Sequence, residues 1–286
     1  MTEYAEVFEV GPRDGLQNEK TVIATANKVV MVDQLSACGF QRIEVASFVS
    51  PKWVPQMADS ADVLDRIQRR KGTRYAALTP NMRGFDGAVA AKADEIAIFA
   101  SASEGFSQAN INCSIAESVE RFKVVIAAAK EASIPVRGYI SCVTDCPYAG
   151  PTAPGQVAHL AAQLHDLGCY EISLGDTIGH GTPTSITAML KAVLIEVGPT
   201  KLAGHYHDTS GRALDNIRVS LDFGLRVFDA SVGGLGGCPY APGASGNAAS
   251  EAVVDLLHKA GFETGVDLDK LTKIAINTKN LRGFHV

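Results

Sequence analysis

Short apolar stretches bounded by Gly, Pro or Asp recur along the chain, at residues 5–10, 42–46, 75–78, 95–99, 136–141, 171–174, 202–206 and 227–230. Each is too short for a helix and predicts a strand. Between them apolar residues return at helical spacing, as at Val29, Val30, Val32 and Leu35 within residues 24–36. The same spacing predicts helices over 118–132, 154–167, 184–197 and 211–223. Weaker signals cover 82–91, which glycine interrupts, and 247–259, which follows a glycine-rich loop. Strand and helix alternate throughout. Such alternation demands parallel strands with helical crossovers, and eight units within about 260 residues predict an α/β chain closed into a (β/α)8 TIM barrel. One miscounted element would leave a doubly wound sheet instead. Residues 266–281 carry apolar spacing for a further helix outside the barrel, a C-terminal helical extension.

Composition narrows the classes of function. The 286 residues would divide into two domains of about 150 residues each, but closed barrels run to about 250 residues as one unit, so residues 1–286 are expected to form a single barrel domain. With 26 Lys+Arg against 31 Asp+Glu the net charge is −5, and no basic block appears. Nucleic acid is therefore not an expected partner. No apolar run reaches about 18 residues, which argues against a membrane span. The start of the chain passes straight into a strand pattern without a targeting segment, so a cytoplasmic protein, or a form already trimmed, is expected. Six scattered cysteines in a chain of this size read as thiols in a reducing compartment.

In a parallel barrel the loops after the strands converge on one face, so polar residues at the C-terminal strand ends are the informative ones. Arg13, Asp14 and Gln17 follow the first strand, Glu44 lies in the second and Asp176 follows the sixth. His205 and His207 mark the seventh, and Cys238 and Asn247 lie in the glycine-rich loop after the eighth. All are expected on one rim. His205 and His207 are two apart, so on an extended strand they project to the same side. That spacing suits two imidazole ligands of a metal ion; the alternative is a hydrogen-bonded pair in the barrel mouth. Asp14 and Asn247 would add a carboxylate and an amide oxygen, leaving positions for water or substrate. Such ligation suits Mg²⁺ or Mn²⁺, with Zn²⁺ and Fe²⁺ open. A lone carboxylate against a divalent ion leaves about +1, which attracts an anionic chelating substrate and acidifies a coordinated hydroxyl. Arg13 is then a fixed cation suited to an enolate oxygen, or an ion-pair partner of Glu44 or Asp176; both can hold together.

The loop at residues 233–247, GGLGGCPYAPGASGN, contains neither GxxxxGK[ST] nor GxGxxG and precedes the last helix, so a nucleotide loop is excluded. Dense glycine fits a mobile flap that brings Cys238 to a reacting carbon. The other reading of Cys238 is a small buried apolar side chain. Cys142 and Cys146, with no second pair, are read as structural thiols. Lys20, Lys52 and Arg83 are read as solvated charge, with phosphate contacts as the alternative.

Taken together, VGPRDGLQNE at 10–19, EVASFVSPKWVPQM at 44–57, SLGDTIG at 173–179, HYHDT at 205–209 and the 233–247 loop closely resemble the 3-hydroxy-3-methylglutaryl-CoA lyase family. The likeness runs over about residues 7–261, and the motifs are long and in order. A wider superfamily of metal-dependent lyases and Claisen-condensing barrels shares only Arg13, Asp14, Glu44 and the His205/His207 pair.

The resemblance implies Mg²⁺- or Mn²⁺-dependent retro-Claisen cleavage of 3-hydroxy-3-methylglutaryl-CoA to acetoacetate and acetyl-CoA, in leucine degradation. It implies Asp14, His205, His207 and Asn247 as metal ligands, and Arg13 and Gln17 as substrate contacts. It implies that Cys238 or His205 returns a proton to C2. Glu44 and Asp176 fall on acidic family positions, either orienting Arg13 and the metal shell or relaying a proton. The partner is a small-molecule acyl-CoA, and a homo-oligomer stays open. Three rivals remain at this level: a lyase for a longer substrate such as 3-hydroxy-3-isohexenylglutaryl-CoA, an aldolase or Claisen synthase of the superfamily, and a barrel kept as a CoA or metal sensor.

Overall fold

The apolar runs do form eight parallel strands: β1 (Glu6–Glu9), β2 (Arg42–Ser47), β3 (Arg74–Leu78), β4 (Glu95–Ser101), β5 (Val136–Ser141), β6 (Glu171–Asp176), β7 (Leu202–Tyr206) and β8 (Val227–Ala230). Each pairs with the next, and β8 pairs with β1 to close the barrel. The computed structural model describes residues 2–19, 21–236 and 246–281. A doubly wound sheet is thereby excluded.

Around the barrel lie α1 (Thr25–Ala37), α2 (Ser60–Arg66), α3 (Met82–Ala90), α4 (Glu104–Ile111), α5 (Ile115–Glu131), α6 (Pro154–Leu167), α7 (Pro183–Glu196), α8 (Ala213–Asp222) and α9 (Ser250–Lys259). The expected extension is α10 (Leu268–Leu281), which packs on α1 and α9. Helices α2 and α4 were not anticipated; seven and eight residues long, they show too few turns for an apolar period to emerge. Helix α5 starts at a capping box in which Ser114 Oγ accepts from Glu117 N (3.2 Å) and Glu117 Oε2 accepts from Ser114 N (2.8 Å). Such a cap contributes about 1 kcal/mol. Among the described residues no helix is long and apolar enough to cross a membrane.

Strand alternation sorts side chains into two environments. Ile43, Ile96, Ile98, Ile140, Ile172, Leu174 and Phe228 face outward and form the main core with Met31, Leu35, Phe122, Leu164, Leu190 and Val253 from the helices. The inward residues are different in kind. Arg42 pairs with Glu6 (2.6 Å) and Glu171 (3.0 Å), and Arg137 with Glu171 (2.6 Å) and Asp229 (2.7 Å), all inside the barrel. Phe8 covers both guanidinium groups, 4.9 Å from Arg42 and 4.5 Å from Arg137. Removing one member of such a ladder leaves a buried charge, at a cost of about 3–5 kcal/mol.

Candidate metal and substrate site

The site begins where β1 runs out. The N–H groups of Arg13, Asp14 and Gly15 all turn back onto Val10 O (3.2, 2.8 and 3.1 Å), giving a wide turn over Gly11–Gly15. This geometry, frequent at functional sites, aims two adjacent side chains at the barrel mouth. Arg13 donates from Nε to Glu44 Oε2 (2.6 Å) and from Nη1 to Asp14 Oδ1 (2.6 Å), while Tyr139 Oη donates to the same Glu44 oxygen (3.2 Å). Glu44 is fully buried on the inward face of β2. Burial pushes its carboxyl up and the Arg13 charge opposes that rise. The ion pair considered for Arg13 in the sequence is therefore made with Glu44 and Asp14.

Two imidazoles meet this group from β7. His205 Nε2 lies 3.3 Å from His207 Nε2 and 4.0 Å from Asp14 Oδ2. Ligand atoms of Asp14, His205 and His207 all lie within 4.8 Å of one another. Asn247 arrives by a different route from the one expected. Helix α9 starts at Ser250, and the segment before it lies antiparallel to the end of β7, with Asp208 N on Gly246 O (2.7 Å) and Ala248 N on Tyr206 O (3.0 Å). Pairing with His207 carries Asn247 across the mouth, where its Nδ2 donates to Asp14 Oδ2 (2.7 Å).

The electrostatics of the cluster suit a cation. Burial would raise the Asp14 carboxyl, but Arg13, His205, His207 and the Asn247 hydrogen bond outweigh it and hold the group at about 2. His207 is pushed down to about 4, by burial and then by His205. A neutral His207 and an ionised Asp14 are the protonation states a metal ion requires. Among the described residues the buried Asn247 Oδ1 has no hydrogen-bond partner. A carboxylate and two imidazoles at one point, with an unpartnered amide oxygen on the asparagine beside them, fit a divalent cation.

Not every expected residue joins them. Asp176 ends β6 on the outward parity of Ile172 and Leu174, and it accepts from Thr144 Oγ1 (3.0 Å) and Gly181 N (2.8 Å). Its carboxylate shapes the loops behind the rim and makes no ion pair with Arg13. Gln17 donates from Nε2 to Asp14 Oδ1 (2.8 Å), so it touches a candidate ligand. Cys238 and Lys20 lie outside the described residues. Cys142 and Cys146 are buried with Phe106 away from the cluster, and the five described cysteines are free.

Sequence reasoning missed three residues. Tyr139 joins Glu44, and Asp229 and Ser173 stand below His205: Asp229 Oδ2 is 3.1 Å from His205 Nδ1 and accepts from Ser173 Oγ (2.7 Å). The only signal for Asp229 was an acid inside the apolar run Val227-Phe228-Asp229-Ala230.

Comparison with known proteins gives the chain's relatives. A family model described as HMGL-like matches residues 5–277. The mitochondrial hydroxymethylglutaryl-CoA lyase of Arabidopsis thaliana is 56% identical over 95% of this chain, which spans only 58% of that relative's length. A Pseudomonas aeruginosa 3-hydroxy-3-isohexenylglutaryl-CoA/hydroxy-methylglutaryl-CoA lyase is 58% identical over 93% of this chain and 88% of its own. The crystal structure of the HMG-CoA lyase from Brucella melitensis superposes with a TM-score of 0.97 at 60% identity, covering 98% of this chain and 99% of that one. On the length of the match and the level of identity, the chain belongs to the HMGL-like family of carbon–carbon lyases.

Proposed function

We propose that the chain cleaves 3-hydroxy-3-methylglutaryl-CoA to acetoacetate and acetyl-CoA at a divalent-metal centre, as in leucine breakdown. The observation that carries this reading is the meeting of Asp14, His205 and His207 within 4.8 Å, beside the buried Arg13, at the mouth of the barrel. Asp14, His205, His207 and Asn247 would hold the ion, and Mg²⁺ or Mn²⁺ suits a set with hard oxygen ligands. When bound, such an ion supplies Lewis acidity toward a substrate hydroxyl and carboxylate.

The chain's own residues meet two of the remaining demands, holding the enolate charge and returning a proton to C2. Retro-Claisen cleavage takes the proton from the C3 hydroxyl, moves the C2–C3 electron pair into a thioester enolate and returns a proton to C2. No cosubstrate is needed. Arg13 faces the negative charge that appears on the thioester oxygen, and Glu44 with Tyr139 keeps its guanidinium fixed, so little reorganisation is required as charge develops. His205 has both nitrogens engaged, Nδ1 toward Asp229 and Nε2 toward the cluster. Return of the proton to C2 we assign to Cys238, the thiol that the family resemblance puts in the loop after β8. Gln17 orients Asp14, and Asp176 shapes the adjoining loops in this reading. A reducing compartment, the cytoplasm in our reading, suits the free thiols.

The direct test incubates the protein with 3-hydroxy-3-methylglutaryl-CoA and Mg²⁺ and measures acetoacetate, with an EDTA arm. Production that EDTA abolishes is expected; none in the Mg²⁺ arm would overturn the reading. The Pseudomonas aeruginosa relative, whose name includes the isohexenyl substrate, favours a second reading in which a longer C3 substituent is also accepted. Competition between the two thioesters decides this by the ratio of kcat/KM.

A further inference from the structure

The buried carboxylate of Asp229 has a set of neighbours that fixes its role. Its Oδ1 accepts from Arg137 Nη2 (2.7 Å), and its Oδ2 accepts from Arg137 Nη1 (3.0 Å) and Ser173 Oγ (2.7 Å). The fourth neighbour is His205 Nδ1, 3.1 Å from Oδ2. Arg137 cannot swing away. Its Nε is held by Glu171 Oε1 (2.6 Å), and its guanidinium lies between the rings of Phe8 (4.5 Å) and Tyr139 (4.9 Å). A carboxylate clamped by a guanidinium is ionised and can only accept hydrogen bonds. The proton between Asp229 and His205 must therefore sit on Nδ1, so Nε2, which faces Asp14 and His207, is the nitrogen left to meet a cation.

We propose that Asp229, clamped by Arg137 and Ser173, is a positioning residue that locks the tautomer and ring plane of His205 so that Nε2 is offered to the divalent cation. The inference rests on the metal reading above. It extends the site downward into the barrel, along Arg42, Glu171, Arg137 and Asp229 to His205. Outer-sphere carboxylates of this kind raise the basicity of a ligating imidazole, and losing one typically costs 10–100-fold in metal affinity.

The experiment titrates apo-protein with Mn²⁺ and follows free Mn²⁺ by electron paramagnetic resonance. Asp229→Asn is expected to weaken binding about 10–100-fold, and Ser173→Ala, which leaves the Arg137 pair in place, to weaken it less. A folded Asp229→Asn protein that binds Mn²⁺ within twofold of the parent overturns the inference. A parent that takes up no Mn²⁺ removes the metal reading and this inference together, whereas equal tight binding by parent and variant removes this inference alone. Should Asp229→Asn fail to fold, ¹⁵N-histidine NMR of the apo parent still decides, with the His205 resonance assigned through its loss in His205→Asn. In the neutral ring, a proton on Nδ1 supports the inference and a proton on Nε2 with Nδ1 bare ends it. A merely structural salt bridge would set neither the tautomer nor the ion's affinity.

Discussion

Arg13 has two dependents, and both must be considered when it is changed. In the proposed reaction its loss removes the donor for the enolate, which should lower turnover of 3-hydroxy-3-methylglutaryl-CoA by roughly 10²–10³. It also strands the fully buried Glu44, so the fold is not left intact, as a solvated arginine would leave it. The expected outcome for Arg13→Ala is a loss of both activity and stability, the latter by up to about 3–5 kcal/mol. Adding Glu44→Gln should recover much of the stability and none of the turnover; urea unfolding beside the acetoacetate assay would show the split. Glu9 gives a second prediction at this scale. Its carboxylate accepts from Gly11 N (2.8 Å), Val232 N (3.0 Å) and Ser250 Oγ (2.6 Å), joining the first loop, the last loop and α9. Burial pushes its pKa from 4.5 up to about 7. An acid whose folded pKa is raised binds its proton more tightly in the native state, so stability falls as pH climbs from about 4.5 to about 7 and is level beyond. At about 1.36 kcal/mol per unit this amounts to about 3 kcal/mol. The stability of the parent minus that of Glu9→Gln, measured in EDTA across pH 4–8, should decline by that amount within this window. Parallel profiles would refute the assignment.

At the scale of the element, the glycine-rich loop is closed at its neck by contact between two backbones. Gly236 has φ +98, and a Cβ on Gly246 would come within 1.4 Å of Gly236 O. No side chain fits there without separating the two strands of the neck. Gly246→Ala should therefore displace Asn247 from His207, weakening Mn²⁺ binding and turnover together. If both stay within threefold of the parent, the neck is not what places Asn247. The strands and long helices were legible because strand and helix periods are local properties of the chain. The start of α9 was misplaced by three residues for the opposite reason. Residues 247–249 precede Ser250 in a sequence that continues a helical pattern, but hydrogen bonds from β7 and β8, distant in sequence, hold them extended.

For the whole molecule, a cation that binds only the native cluster must stabilise the fold by mass action. At 100 times its dissociation constant Mn²⁺ should add about 2.7 kcal/mol, a rise of several degrees in Tm. EDTA should reverse it, and a His207→Ala variant should show none. A parent whose Tm ignores Mn²⁺ would contradict a shared centre at Asp14, His205 and His207.

What the sequence by itself determined was the eightfold alternation, the two-residue spacing of His205 and His207, and the long motifs that placed the chain in its family. These are short-range patterns, set by the backbone's own periods. Parity within a strand was also present in it: Asp176 shares the parity of Ile172 and Leu174, which assigns it to the apolar outer face despite its place at a strand end. Tertiary structure alone decided which groups share a point. Closing the barrel brings Asp14, in the turn after β1, to His205 on β7, lays Asn247 over the mouth, and stacks Arg137 and Asp229 beneath the imidazole. Chain segments more than 200 residues apart, as Asp14 and Asn247 are, meet only after the outward faces have buried their apolar surface against the helices. That burial fixes the register in which the inward charges find one another.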